Sequence, residues 1–201
     1  MARLARALVV LALLLPAART SAEELVGTLH LDGLSFISFE GFETLPIPSG
    51  GTIRFHFASP TVGSSVSFSI GPGDVVIPPI PLSSGGGTLT YTLASPASGV
   101  LALVQGQAQI QLTASVHAAL DRPEGGGTLS YTLRFTTETA SASNVAGTQT
   151  VSVQGARLDL GGRYVQLVGA TTNQTQAIPE PGKAVYTVLS GTFDQLPQQA
   201  P

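Results

Sequence analysis

The sequence predicts an all-β protein: a single antiparallel β-sandwich, jelly-roll-like, with a closed β-barrel as the alternative. Three observations predict it. Apolar residues recur with period two through most of the chain, which places them on one face of a strand and scatters them around a helix. Clusters of Gly, Pro, Ser and Asn punctuate these runs at the intervals that turns require. After the first 22 residues, no stretch carries the 3.6-residue period of an amphipathic helix.

The chain opens with MARLARALVVLALLLPAARTSA. Arg3 and Arg6 form a basic start, Ala7 to Leu15 is an apolar run, and Pro16 and small residues follow to Ala22. This is the three-part pattern of a secretory signal peptide, so residues 1–22 are expected to be removed. The apolar run is far shorter than the roughly 20 residues that span a bilayer. A single β domain is expected over 23–196, and a Pro/Gln-rich tail over 197–201 is expected to fray.

Strands are expected at Leu25–Leu31 and Leu34–Phe42. Two short alternating strands follow, one built on Ile53, Phe55 and Phe57 and one on Val66, Phe68 and Ile70. Gly71 to Leu82 reads GPGDVVIPPIPL. Pro78, Pro79 and Pro81 lack the N–H that a ladder needs, so this stretch is expected as an edge strand or extended loop that guards a sheet edge. Val100–Val104 is apolar throughout and reads as a central strand. Gln107 to Ala118 alternates most cleanly. Ala108, Ile110, Leu112, Ala114, Val116 and Ala118 share one face, and Gln107, Gln109, Gln111, Thr113, Ser115 and His117 share the other. Leu129–Phe135, Thr148–Val153, Arg157–Leu160, Arg163–Val168 and Ala184–Phe193 complete the expected strands, with Gly161-Gly162 as a hairpin turn.

One segment is copied. GGGTLTYTL at Gly85–Leu93 recurs as GGGTLSYTL at Gly125–Leu133, and GGTIRFHF at Gly50–Phe57 is a weaker echo. Each reads as a glycine turn feeding a strand, with Leu and Tyr facing inward and Thr or Ser outward. A phosphate-binding reading of the glycines fails, because such loops feed the N-terminus of a helix.

Composition excludes several functions. With no Cys, there are no disulfides, thiol nucleophiles or Cys-ligated metals. The chain carries 9 basic and 12 acidic residues. Removing Arg3, Arg6 and Arg19 with the signal leaves a net charge of −6, which is wrong for a nucleic-acid partner. No membrane span is expected after signal removal. No cofactor is implied, and His30, His56 and His117 show no metal-ligand spacing, so they read as isolated, solvent-facing residues.

The expected function is that of a secreted or cell-surface, non-enzymatic β domain with a structural, adhesive or partner-binding role. The bacterial periplasm or an extracellular surface is the expected location. Expected partners are a surface protein, a polysaccharide or a small apolar ligand. Candidate binding residues are the polar strand face Gln107, Gln109, Gln111 and His117, and the aromatic pair Phe36 and Phe42. The alternatives are a sandwich or barrel that holds a small apolar ligand, and a secreted hydrolase whose histidines and acids converge from distant strands.

Overall fold

The structure is a computed structural model that describes residues 24–39, 44–82, 86–104, 107–123, 125–136, 164–173 and 185–200. The expected strands at 148–153 and 157–160, the Gly161-Gly162 turn, the signal segment and Phe42 lie outside these residues.

The described elements are β1 (Leu25–Leu31), β2 (Phe36–Phe39), β3 (Thr44–Pro46), β4 (Thr52–Phe57), β5 (Thr61–Val62) and β6 (Ser65–Ile70). A 3-10 turn at Pro72–Asp74 leads into β7 (Val75–Val76) and β8 (Ile80–Pro81). Then come β9 (Thr88–Leu93), β10 (Ala97–Val104), β11 (Gln107–Asp121), β12 (Gly127–Thr136), β13 (Tyr164–Asn173), β14 (Val185–Phe193) and β15 (Gln198–Gln199). The fold is an all-β sandwich, as the alternation predicts.

The main ladder runs β1-β4-β6-β10-β11-β12-β13-β14-β2-β3, with every pairing in it antiparallel. It folds over so that Ile53, Phe55 and Ile70 look across the interior at Tyr91, Leu167 and Leu189. Three strands change neighbours partway along. β4 pairs β7 at Thr52 and Ile53 and β6 at His56 and Phe57. The first half of β11 pairs β10 and the second half β9. β14 pairs β2 at Val185–Val188 and β1 at Gly191–Phe193. In a regular barrel each strand keeps the same two neighbours along its length, whereas strands that switch partners form the corners of a sandwich. This separates the observed fold from the barrel alternative, although the three-residue pairing of β1 with β14 carries hydrogen bonding around one corner.

The core follows the period-two pattern. β4 buries Ile53, Phe55 and Phe57, and β6 buries Val66, Phe68 and Ile70. The Phe55 ring centroid lies 5.1 Å from that of Phe68 and 5.0 Å from that of Phe193. These tilted and edge-on contacts suit the ring quadrupoles.

Several boundaries differ from expectation. β2 is shorter than Leu34–Phe42 because Leu34 sits in a turn, 65% exposed, with its N–H donating to the Asp32 carboxylate at 2.9 Å. β10 has a ladder partner on each side, but it alternates. Leu101 is fully buried and Val100 is 41% exposed, so a continuous apolar run did not mean burial of both faces. Near the C-terminus, Gln198–Gln199 form β15. β15 pairs β5 in parallel, the Gln198 N–H donates to the Pro60 carbonyl and the Ala200 N–H donates to that of Val62.

The Pro-rich stretch behaves as an edge guard. β7 and β8 touch β4 and β9 over two residues each, bridging the gap that the two partner-switching strands leave. The copied segments lie on opposite sides of one strand, with β9 and β12 both pairing β11. Tyr91 stands opposite Ala118, and Tyr131 opposite Val116. Their glycine turns use backbone that only glycine adopts freely, with φ of 116° at Gly87 and 122° at Gly125.

Candidate functional site

The most developed polar constellation gathers on the outer face of β4. Alternation sends Arg54 and His56 outward while Phe55 and Phe57 fill the core. Glu24, just ahead of β1, and Asp74, at the end of the 3-10 turn, close on them from either side. His56 Nδ1 lies 2.9 Å from Glu24 Oε1, and His56 Nε2 lies 3.1 Å from Asp74 Oδ2. Arg54 Nη2 lies 3.1 Å from Asp74 Oδ1 and donates to the Gly73 carbonyl at 3.1 Å. The Gly71 N–H donates to Asp74 Oδ2 at 2.7 Å.

Burial opposes the charged form of Asp74. The Gly71 N–H, then His56 and Arg54, outweigh it and hold the carboxyl below its ordinary value. Asp74 is 14% exposed, His56 30% and Glu24 59%, so the ring sits between a sheltered carboxylate and an open one. Each ring nitrogen thus faces a carboxylate oxygen, and these contacts tie the residue ahead of β1 and the turn before β7 to β4.

A second constellation fills the corner where β14 changes partners. Ser190 falls between the β2 and β1 pairings, so no strand serves its backbone on that side. The Ser35 hydroxyl takes the role. It accepts from the Ser190 N–H at 3.0 Å and donates to the Ser190 carbonyl at 3.1 Å. The Asp32 N–H also donates to that carbonyl, at 2.9 Å. The Ser190 hydroxyl donates to Asp32 Oδ1 at 2.7 Å. Burial pushes the nearby Tyr164 phenol up, as does the Asp32 carboxylate.

Among the described residues, the predicted site residues lie on β11 and β2. Gln109 and Gln111 stand on the half of β11 beside β10, opposite Ala102 and Val100. Gln107 holds the same register, opposite Val104. His117 is on the other half, opposite Thr92 and Ser130, about 20 Å along the strand from Gln111. Gln111 and His117 lie on the same face of β11, toward its two ends. Phe36 is half-buried on β2, while Ile37 and Phe39 face the core. His30 is exposed on β1, and His56 is bracketed by carboxylates instead of being isolated. Its partners come from 32 and 18 positions away, and no local pattern announces them. The one available signal is the GPGD turn, in which an Asp can accept the N–H three residues earlier.

Among the described residues no group of three or more His, Cys, Asp or Glu side chains is arranged to hold a metal ion. No described helix is long and apolar enough to cross a membrane. An apolar pocket of about 40 Å³, partly open to solvent, is lined by Ile53, Ile70, Val75, Ile77, Leu93 and Leu112 among others. Pockets that hold a drug-sized ligand measure roughly 300 Å³ or more. The chain matches no protein-family model, no curated protein and no solved structure.

Proposed function

We propose that the chain is an exported, non-enzymatic β domain that attaches to a neutral polysaccharide through its uncharged outer face. One observation carries this reading. Ser65, Ser67 and Ser69 on β6, Ser98 and Val100 on β10, and Gln111 and Thr113 on β11 all face outward and exposed, in register, with no formal charge on those three strands over 65–70, 97–104 and 107–113. Neighbouring strands stand about 4.8 Å apart, so the hydroxyls and amides form a regular donor and acceptor array. Such an array suits a ligand that is itself a row of hydroxyl groups. A protein partner normally requires buried aromatic or arginine anchors, and this face offers Val100 alone.

The test is affinity electrophoresis of the chain without residues 1–22 through gels that contain soluble neutral glucans, mannans or xylans, together with co-sedimentation on their insoluble forms. Retardation by at least one, lost in Ser67→Glu and Gln111→Glu and kept in Val76→Glu, is the expected result. Absence of retention by any neutral polysaccharide overturns the polysaccharide reading. Turnover of any substrate in a broad hydrolase panel overturns the non-enzymatic one.

A further inference from the structure

The apolar pocket, the Pro-rich segment and the charged cluster on β4 are parts of one arrangement. Val75 and Ile77 of the Pro-rich segment form part of the cavity wall. Thr92, exposed on β9, stands at its rim. The segment therefore walls part of a space that is partly open to solvent, over the gap between β4 and β9.

Its attachment is sparse and concentrated at its ends. Pairing with β4 covers Val75 and Val76, and pairing with β9 covers Ile80 and Pro81. The Leu82 N–H donates to the Gly87 carbonyl at 3.2 Å. Pro78, Pro79 and Pro81 have no N–H, so the ladder cannot lengthen across the segment. Ile77 and Ile80 are buried beneath it, while Val76 is exposed. The leading end is held by Asp74 through Gly71, His56 and Arg54.

We propose that Pro72–Leu82 is a strap over an apolar binding site, fastened by the Glu24–His56–Asp74–Arg54 cluster, and that the site takes a small neutral hydrocarbon-like molecule when the strap lifts. The wall chemistry sets the ligand class. Aliphatic and aromatic side chains surround the space, so a charged or strongly polar guest would lose its hydration without new partners. With the strap down the cavity is about 40 Å³, room for a few heavy atoms at most. Lifting Val75 and Ile77 removes part of the wall and widens the opening that the space already has at Thr92. Local opening of this kind is drawn from the least densely bonded segments of a fold. Among the described residues, the charged groups that face the fastening are Glu24 ahead of β1, Arg54 and His56 on β4, and Asp74 itself, and β6 places the uncharged Ser69 beside His56. Protonating Asp74 takes away the charge that its contacts with His56 and Arg54 use, so release is expected as Asp74 becomes protonated.

The experiment uses the absence of Cys from the chain. Thr52→Cys with Val76→Cys places two thiols on opposed residues of β4 and β7, where a disulfide staples the strap. The probe is the neutral dye N-phenylnaphthylamine, read by fluorescence, with circular dichroism to verify the fold. Asp74→Asn is expected to raise the apparent affinity for the dye about tenfold, the equivalent of one charge-assisted hydrogen bond. Adding the stapled pair to Asp74→Asn is expected to abolish that gain when oxidised and restore it on reduction. Equal dye binding by the oxidised and reduced forms overturns the strap. Unchanged binding in a folded Asp74→Asn overturns the fastening. Should Asp74→Asn lose its circular dichroism signal, Glu24→Gln, at the exposed side of the cluster, replaces it, with a smaller gain expected and none overturning the proposal.

Discussion

The Tyr91 hydroxyl lies 3.1 Å from the Thr187 hydroxyl, with both residues buried, and joins β9 to β14, which share no ladder. An inward-facing tyrosine inside an alternating strand brings a polar atom into the core, and a buried hydroxyl without a partner is costly. Thr187 supplies the partner from the opposite side of the interior. Tyr91→Phe is expected to destabilise the protein by about 1–2 kcal/mol, because it leaves the Thr187 hydroxyl buried. Adding Thr187→Val is expected to cost less than the sum of the two single changes. Urea unfolding of the four proteins of this cycle checks the coupling, and strict additivity would refute it.

Ser35 substitutes for a missing strand beside Ser190. Ser35→Ala removes the acceptor of the Ser190 N–H and one donor to its carbonyl, at a fully buried position. The expected loss is about 1–3 kcal/mol. Amide hydrogen exchange at Ser190 is expected to accelerate in the same variant. Protection equal to wild type would mean that another group takes over.

Asp74 gives the protein an acid-sensitive contribution. Its carboxyl is held below the ordinary value of 3.8 in the fold, against the opposing effect of burial, by Gly71, His56 and Arg54. A carboxyl held low stabilises the fold above its unfolded value, and that contribution is lost as pH falls through the folded one. The stability gap between wild type and Asp74→Asn is therefore expected to be full above about pH 4 and to close in more acidic solution. Thermal melts of both proteins over an acid series measure it. A gap that stays constant with pH would contradict this assignment.

Gly191 marks the closest approach of β14 to β1. A Cβ there would collide with the carbonyl oxygen of His30, an atom that cannot step aside without breaking the pairing of Leu31 with Gly191. Gly191→Ala is expected to cost about 3 kcal/mol. Gly63→Ala, where a Cβ meets nothing within 4 Å, is expected to be neutral or to stabilise by up to about 1 kcal/mol. Chemical denaturation of both variants compares them.

The alternation in the sequence determined which side chains enter the core. Ile53, Phe55 and Phe57, then Val66, Phe68 and Ile70, then Leu89, Tyr91 and Leu93 face inward as their spacing requires, because successive residues of a strand point to opposite faces whatever lies beside it. The prolines determined that Gly71–Leu82 could only edge a sheet. Tertiary structure alone decided which strands become neighbours, and where β4, β11 and β14 exchange one partner for another. Those choices depend on fitting two layers around a shared core, and any single strand has the same alternating pattern before and after the exchange. The partners of His56 were decided in the same way. Glu24 and Asp74 reach it only after β1 and the turn before β7 have docked on β4, so a residue that reads as solvent-facing in the sequence becomes the centre of a charged cluster. The tail, polar and Pro-rich, carries no pattern of its own, and it takes its place by pairing Gln198 and Gln199 with Thr61 and Val62 of β5.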